Sequence, residues 1–173
     1  MYTTTQTVNT APIHPFGQEI VPTVLTEQTV KAAVDSFTKI CGAVEVIDDD
    51  PTDFAHGKKI DGIISFVGDI TWSLILVLPF RSAEMMAQKF AGFEIPFDSE
   101  DMGDVVGELT NVLAGVLCGG LESVGVHSQM SLPTVTSGSD FEQLMSENLI
   151  TQRLFFMTND HHFMVKLVVA RHK

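Results

Sequence analysis

Glu108 and Asn111 are the residues whose types and spacing best suit chemistry. They lie three positions apart, which on a helix puts both on one face, a turn from each other. A carboxylate brings charge and accepts hydrogen bonds. A carboxamide both donates and accepts. Asp104 precedes the pair by about one turn, and Gly107 and Gly115 flank it. The Glu-x-x-Asn spacing alone is common, and most such pairs are simply solvated. Their surroundings have to decide what these two are for.

The pair falls on a predicted helix over about 99 to 121. Asp98 or Ser99 caps it, and Glu100 and Asp101 favour its positive end. At 100° per residue, Met102, Val105, Val106, Leu109, Val112, Leu113, Val116 and Leu117 form one broad apolar face, which is expected to be buried. The opposite face reads Asp101, Asp104, Glu108, Asn111, Gly115 and Glu122, with Gly107, Cys118 and Gly119 at its edge. It carries no basic residue. Each interior glycine costs a helix about 1 kcal/mol relative to alanine. Two readings of that cost stand side by side. A partner approaches the backbone closely, or a neighbouring element of the same domain packs tightly there.

The elements that must position this helix read as follows. Residues 1–22, rich in Thr and Gln with Pro12, Pro15 and Pro22, predict an extended or disordered arm, and 23–173 the folded domain. Thr26 caps a helix over 27–41 that Gly42 stops. Ala43–Ile47 reads as a strand and 52–60 as a loop. Gly62–Val67 and Ile70–Leu78 flank a Gly68-Asp69 turn, a hairpin signal whose second run is apolar enough for a central strand. Ser82 caps a short helix over 83–91, stopped by Gly92. Strands follow over Gly125–Leu132, Gln152–Met157 and Phe163–Ala170. The stretch 137–149 reads as polar and irregular, with a helical turn at 139–146. Hairpins dominate, so the expected class is α+β: a largely antiparallel sheet of about six strands with long helices packed on it.

Composition narrows the function. With 45% hydrophobic and 18% charged residues, the chain suits one compact domain. A net charge of -12 without a Lys/Arg cluster disfavours nucleic acid and anionic membranes as partners. Cys41 and Cys118 both fall in predicted helices and read as small apolar residues in a reduced, cytoplasmic setting. No signal peptide and no apolar run long enough to cross a bilayer is read. No His or carboxylate cluster has the spacing of a metal site. His161 and His162 are adjacent, and neighbours in a strand point to opposite faces.

The stretch Asp104-Val-Val-Gly-Glu108-Leu-Thr-Asn111, followed by Gly115, resembles the motif of the CheC/CheX/FliY phosphatases, with Pro133 as the later proline, one residue early. The resemblance covers roughly 22–171 and is nearest the CheX branch, because the first helix carries no second Glu-x-x-Asn. It implies a CheC/CheX-like fold and a cytoplasmic homodimer with one site per chain. It implies a phosphatase acting in chemotaxis or two-component signalling on the aspartyl phosphate of a CheY-like receiver domain. In that reading Asn111 orients the attacking water and Glu108 binds the receiver's lysine. Asp104, Gly107 and Gly115 meet the partner. This chain binds no metal or cofactor, and Mg²⁺ belongs to the receiver. The rival is a non-catalytic module that docks on a receiver or a flagellar switch component.

Overall fold

A computed structural model describes residues 20–48, 50–140 and 148–170. The elements run α1 (Thr23–Cys41), β1 (Glu45–Ile47), a 3-10 turn (Thr52–Phe54), β2 (Lys58–Gly68), β3 (Trp72–Pro79), α2 (Phe80–Ala91), α3 (Glu100–Ser123), β4 (Ser128–Met130), β5 (Thr134–Ser139), β6 (Leu149–Thr158) and β7 (His161–Ala170). The expected class holds, with seven strands in place of about six among the described residues. All the described pairings are antiparallel, in the order β1-β6-β7-β3-β2-β4, and β5 also pairs with β2.

β3 lies mid-sheet, as its apolar run predicts. Its even-numbered residues Leu74, Leu76 and Leu78 join the main core under the three helices, with Ile60, Ile64, Phe66, Val165 and Leu167. Its odd-numbered Ile75 and Val77 join a second cluster on the opposite face, with Phe155, Met164 and Val168. The crossover from β1 to β2 closes over part of that face: Phe54 packs against Phe155 with ring centroids 5.5 Å apart. Asp61 also sits on this second face, only 3% exposed. Burial raises its carboxyl to about 6, opposed by nearby Lys59 and Lys166.

Several predicted boundaries shift for identifiable reasons. α1 begins at Thr23 behind Pro22, so Thr26 is inside the helix, where its hydroxyl donates to Gln152 Oε1 at 2.7 Å. Of the predicted arm, 1–19 lie outside the described residues, while Val21 is buried in the core. α2 begins at Phe80, and the Ser82 hydroxyl donates to His162 O instead of capping. β2 runs on past the expected turn because Gly68 pairs with Ser128 of β4. Phe66 stacks on Trp72 at 4.0 Å where the hairpin closes. Asp69 then bridges to β4, accepting from His127 N at 2.8 Å. The strand expected over Gly125–Leu132 is only Ser128–Met130. A further strand, β5, occupies part of the stretch read as irregular. Of the predicted helical turn at 139–146, Ser139 belongs to β5 and 141–147 lie outside the described residues. Cys41 is buried, which pushes its thiol up to about 11, whereas Cys118 is only partly buried.

α3 also corrects the membrane reading. By length, and with a mean hydropathy of 1.3 over eighteen residues, it is apolar enough to cross a bilayer. Its inner residues Met102, Val106, Leu109, Leu113, Leu117 and Leu121 are fully buried in the main core, and this burial accounts for its apolar character.

Candidate active site on the long helix

α3 starts where the sequence places it. Ser99 caps it, the hydroxyl accepting from Met102 N at 3.3 Å, with Glu100 and Asp101 in the first turn. Lys58 is tied to Asp98 at 2.7 Å just ahead of this end.

What fixes the depth of the helix is a contact midway along it. Gly62 of β2 faces Thr110, and a Cβ built on Gly62 would overlap the Thr110 hydroxyl and come within 2.9 Å of its Cβ. The glycine lets α3 lie directly on the sheet. The Thr110 hydroxyl turns back to donate to Val106 O at 2.6 Å, so it is satisfied although fully buried. Thr110 stands between Glu108 and Asn111, so this seat positions both. The sequence signal was a glycine inside an apolar strand run, which marks a close approach without saying what approaches.

Seating on small residues also rotates the helix relative to the expected wheel. Gly107, Thr110 and Ala114 are buried together with the leucines, whereas Val105 and Val112 are half-buried and Val116 is 38% exposed. Gly107 therefore faces the domain's own chain: a methyl group there would lie 3.6 Å from Val135 and 3.8 Å from Pro133. Gly115 is different, exposed with open space where a side chain would stand.

The outer stripe is Asp101, Asp104, Glu108, Gly115, Gly119 and Glu122, all exposed, with Asn111 half-buried along one edge. No hydrogen bond or ion pair among the described residues engages the side chain of Asp104, Glu108 or Asn111. The flank beside Asn111 is the edge strand. Cys118 Sγ lies 3.7 Å from Ser128 Oγ, and Gly107 packs near Pro133 and Val135, so the strand runs antiparallel to the helix with Asn111 between these two contacts.

Neither site residue lines a described cavity. A cleft of about 530 Å³ opens further along α3, between Cys118, Glu122 and the Asp69–His127 bridge. Another of about 840 Å³ lies between α2 and the loop before α3. Among the described residues no three His, Cys, Asp or Glu side chains gather as a metal site requires. His161 lines the α2 cleft, while His162 pairs with Asp53 at 2.7 Å on the other face of the sheet, so the two rings diverge. The half-buried carboxamide and the exposed carboxylate thus stand on an open helix face, accessible to the surface of a macromolecule.

The sequence from 60 to 154 matches the family described as chemotaxis phosphatase CheX. The chain belongs to the CheX family. Membership makes it a phosphatase of the chemotaxis system. No curated protein sequence matches it. Solved structures share its fold. A CheC-like superfamily protein from Shewanella sp. PV-4 superposes with a TM-score of 0.70 at 19% identity, over 86% of this chain and 98% of its own. The chemotaxis protein CheX from Vibrio vulnificus gives 0.68 at 20% identity, over 83% and 97%. The CheX in a CheX-CheY-BeF3-Mg²⁺ complex from Borrelia burgdorferi gives 0.64 at 18% identity, over 86% and 98%. The resemblance read from Asp104, Glu108 and Asn111 thus names the family that the match also gives. The half of the chain carrying those residues lies within the matched span.

Proposed function

We propose that this CheX-family chain hydrolyses the aspartyl phosphate of a CheY-like receiver domain through Asn111 and Glu108. The observation that carries the reading is the open face: both side chains stand outside the two described clefts, without partners among the described residues, on a helix seated on the sheet by Gly62 and Thr110. The CheX–CheY complex of the Borrelia relative supports the choice of partner.

An acyl phosphate is already reactive, and the receiver's own Mg²⁺ and lysine neutralise the phosphoryl oxygens. The missing component is a positioned water. The Asn111 carboxamide accepts one hydrogen bond from that water and orients its oxygen in line with the P–O bond. The water oxygen bonds to phosphorus, the bond to the aspartyl oxygen breaks with its electron pair, and a water proton leaves with the phosphate or to solvent. The products are inorganic phosphate and a free aspartate carboxylate. Positioning of this kind dominates phosphoryl transfer. Glu108 forms a charge-assisted bond with the receiver's lysine and sets the register. Asp104 extends the acidic stripe, and Gly115 leaves room for the receiver's backbone. No metal or cofactor is held by this chain in the reading; it works in the cytoplasm as a homodimer with one site per chain.

The test is the decay of a CheY-type receiver phosphorylated with acetyl phosphate, in Mg²⁺, with and without the protein. Asn111→Ala is expected to lower the saturated rate roughly a hundredfold or more while binding persists. Equal rates for the variant and the parent sink the water-positioning role. Binding by the parent without accelerated decay would favour the non-catalytic docking module.

A further inference from the structure

The edge strand beside Asn111 contains an irregularity that aims one side chain outward. Phe66 of β2 pairs with Met130, but Ile63 pairs with Thr134. Ser65 and Ile64 therefore face Ser131, Leu132 and Pro133, an excess of one residue on the edge strand. This is a β-bulge. Ser131 pins it: its N–H donates to Ser65 O at 2.9 Å, its hydroxyl accepts from Ser65 N at 3.1 Å and donates to Leu132 O at 2.9 Å. Leu132 and Pro133 then share Ile64 as their opposite residue, on the sheet face where α3 lies. Pro133 packs beside Gly107, and Leu132 is left 87% exposed, above the other large apolar residues described. Met130, on the same face through its pairing with Phe66, is 40% exposed.

Single exposed leucines are ordinary on protein surfaces. This one lies between Ser131, which three hydrogen bonds pin, and Pro133, beside the stretch of α3 that carries Asn111. We propose that Leu132, with Met130 next to it, is the apolar anchor on which the receiver seats, and so a specificity-determining residue for the reaction. The inference rests on the function proposed above. The occupant is the receiver because a body lying over Asn111 and Glu108 also covers this rim. Charge argues the same way. The stripe of Asp101, Asp104 and Glu108 attracts a lysine, but an exposed ion pair contributes little affinity. A chain of net charge -12 also gains nothing at long range from a receiver whose cleft is lined by carboxylates. Affinity then has to come from apolar contact at the border of the charged site.

The experiment follows decay of a CheY-type receiver phosphorylated with acetyl phosphate against phosphatase concentration, for the parent, Leu132→Ser, Leu132→Met and Asn111→Ala. Leu132→Ser is expected to raise the half-saturating concentration roughly tenfold and leave the saturated rate unchanged. Leu132→Met restores the parent's value, and Asn111→Ala lowers the saturated rate instead. If Leu132→Ser behaves as the parent while Asn111→Ala is inactive, the anchor is wrong and the proposed function stands. If the parent itself leaves decay unchanged, both fall together. Sedimentation of the same variants separates the other occupant: a dimer that Leu132→Ser splits into monomers assigns the leucine to a second copy of this chain and overturns the proposal.

Discussion

α1 and α3 pack against each other on the same sheet, yet their outer faces are built differently. On α1 the exposed residues Glu27, Lys31, Asp35 and Lys39 follow one another at four-residue spacing with alternating sign. That order supports the helix from within and suits water. On α3 the exposed residues are acidic or glycine apart from Val116 and Ser123, with no base on the helix to balance the charge. The α1 face balances its own charge, whereas the α3 face leaves its carboxylates uncompensated along the helix; in the proposed function the receiver supplies the positive charge. Of two helices sharing one core, the one with the less self-sufficient outer face carries the family motif.

The strongest way to break this contrast is at the seat of α3. Gly62→Ala drives a methyl group into Thr110 and is expected to cost about 3 kcal/mol of stability, read by chemical denaturation. Any fold that survives should lose activity more than stability alone explains, because Glu108 and Asn111 shift with Thr110. The sheet beneath both helices gives the next effect. Asp61 titrates near 3.8 when unfolded and at about 6 when folded, so the folded state binds the proton more tightly. Its contribution is therefore most favourable at acid pH and declines as pH rises between the two values. The loss should come to about 2 kcal/mol between pH 4 and 7. Asp61→Asn should remove that decline from the parent's stability profile, and an unchanged slope would refute it.

A matched pair of charge reversals then compares the helices directly. Glu108→Lys is expected to raise the half-saturating concentration for the phosphorylated receiver roughly tenfold, by repelling its lysine. Glu27→Lys on α1 should leave that value where it was. Equal effects would mean that net charge, rather than the α3 face, governs docking. The smallest effect is at Gly115, where a side chain meets open space. Gly115→Gln should stabilise the helix by up to about 1 kcal/mol and still slow receiver dephosphorylation several-fold. A variant that is both more stable and equally fast would return this glycine to a purely structural account.

Much of this arrangement was legible beforehand. The cap at Ser99, the stops at Gly42 and Gly92 and the central β3 follow from local chemistry: a side-chain acceptor for a free N–H, glycines with φ of 93° and 84°, and an unbroken apolar run. The strand β5 was not legible, because Thr134–Ser139 is polar and small and becomes a strand only by pairing with Lys58–Ile63. The seat at Gly62 and the bulge at Leu132 were hidden for the same reason, since each depends on a partner distant in the chain.

For Glu108 and Asn111, the sequence by itself determined that they share a face of one capped helix and that this face carries acidic residues and glycines without a base. Helical periodicity is local, so it can be read from spacing. Only the tertiary structure decided how deep the helix lies, which glycine is buried and which is open, and what borders the site. Those follow from contacts between residues far apart in sequence: Thr110 on Gly62, Gly107 against Pro133, and an edge strand whose one extra residue leaves Leu132 exposed beside Asn111.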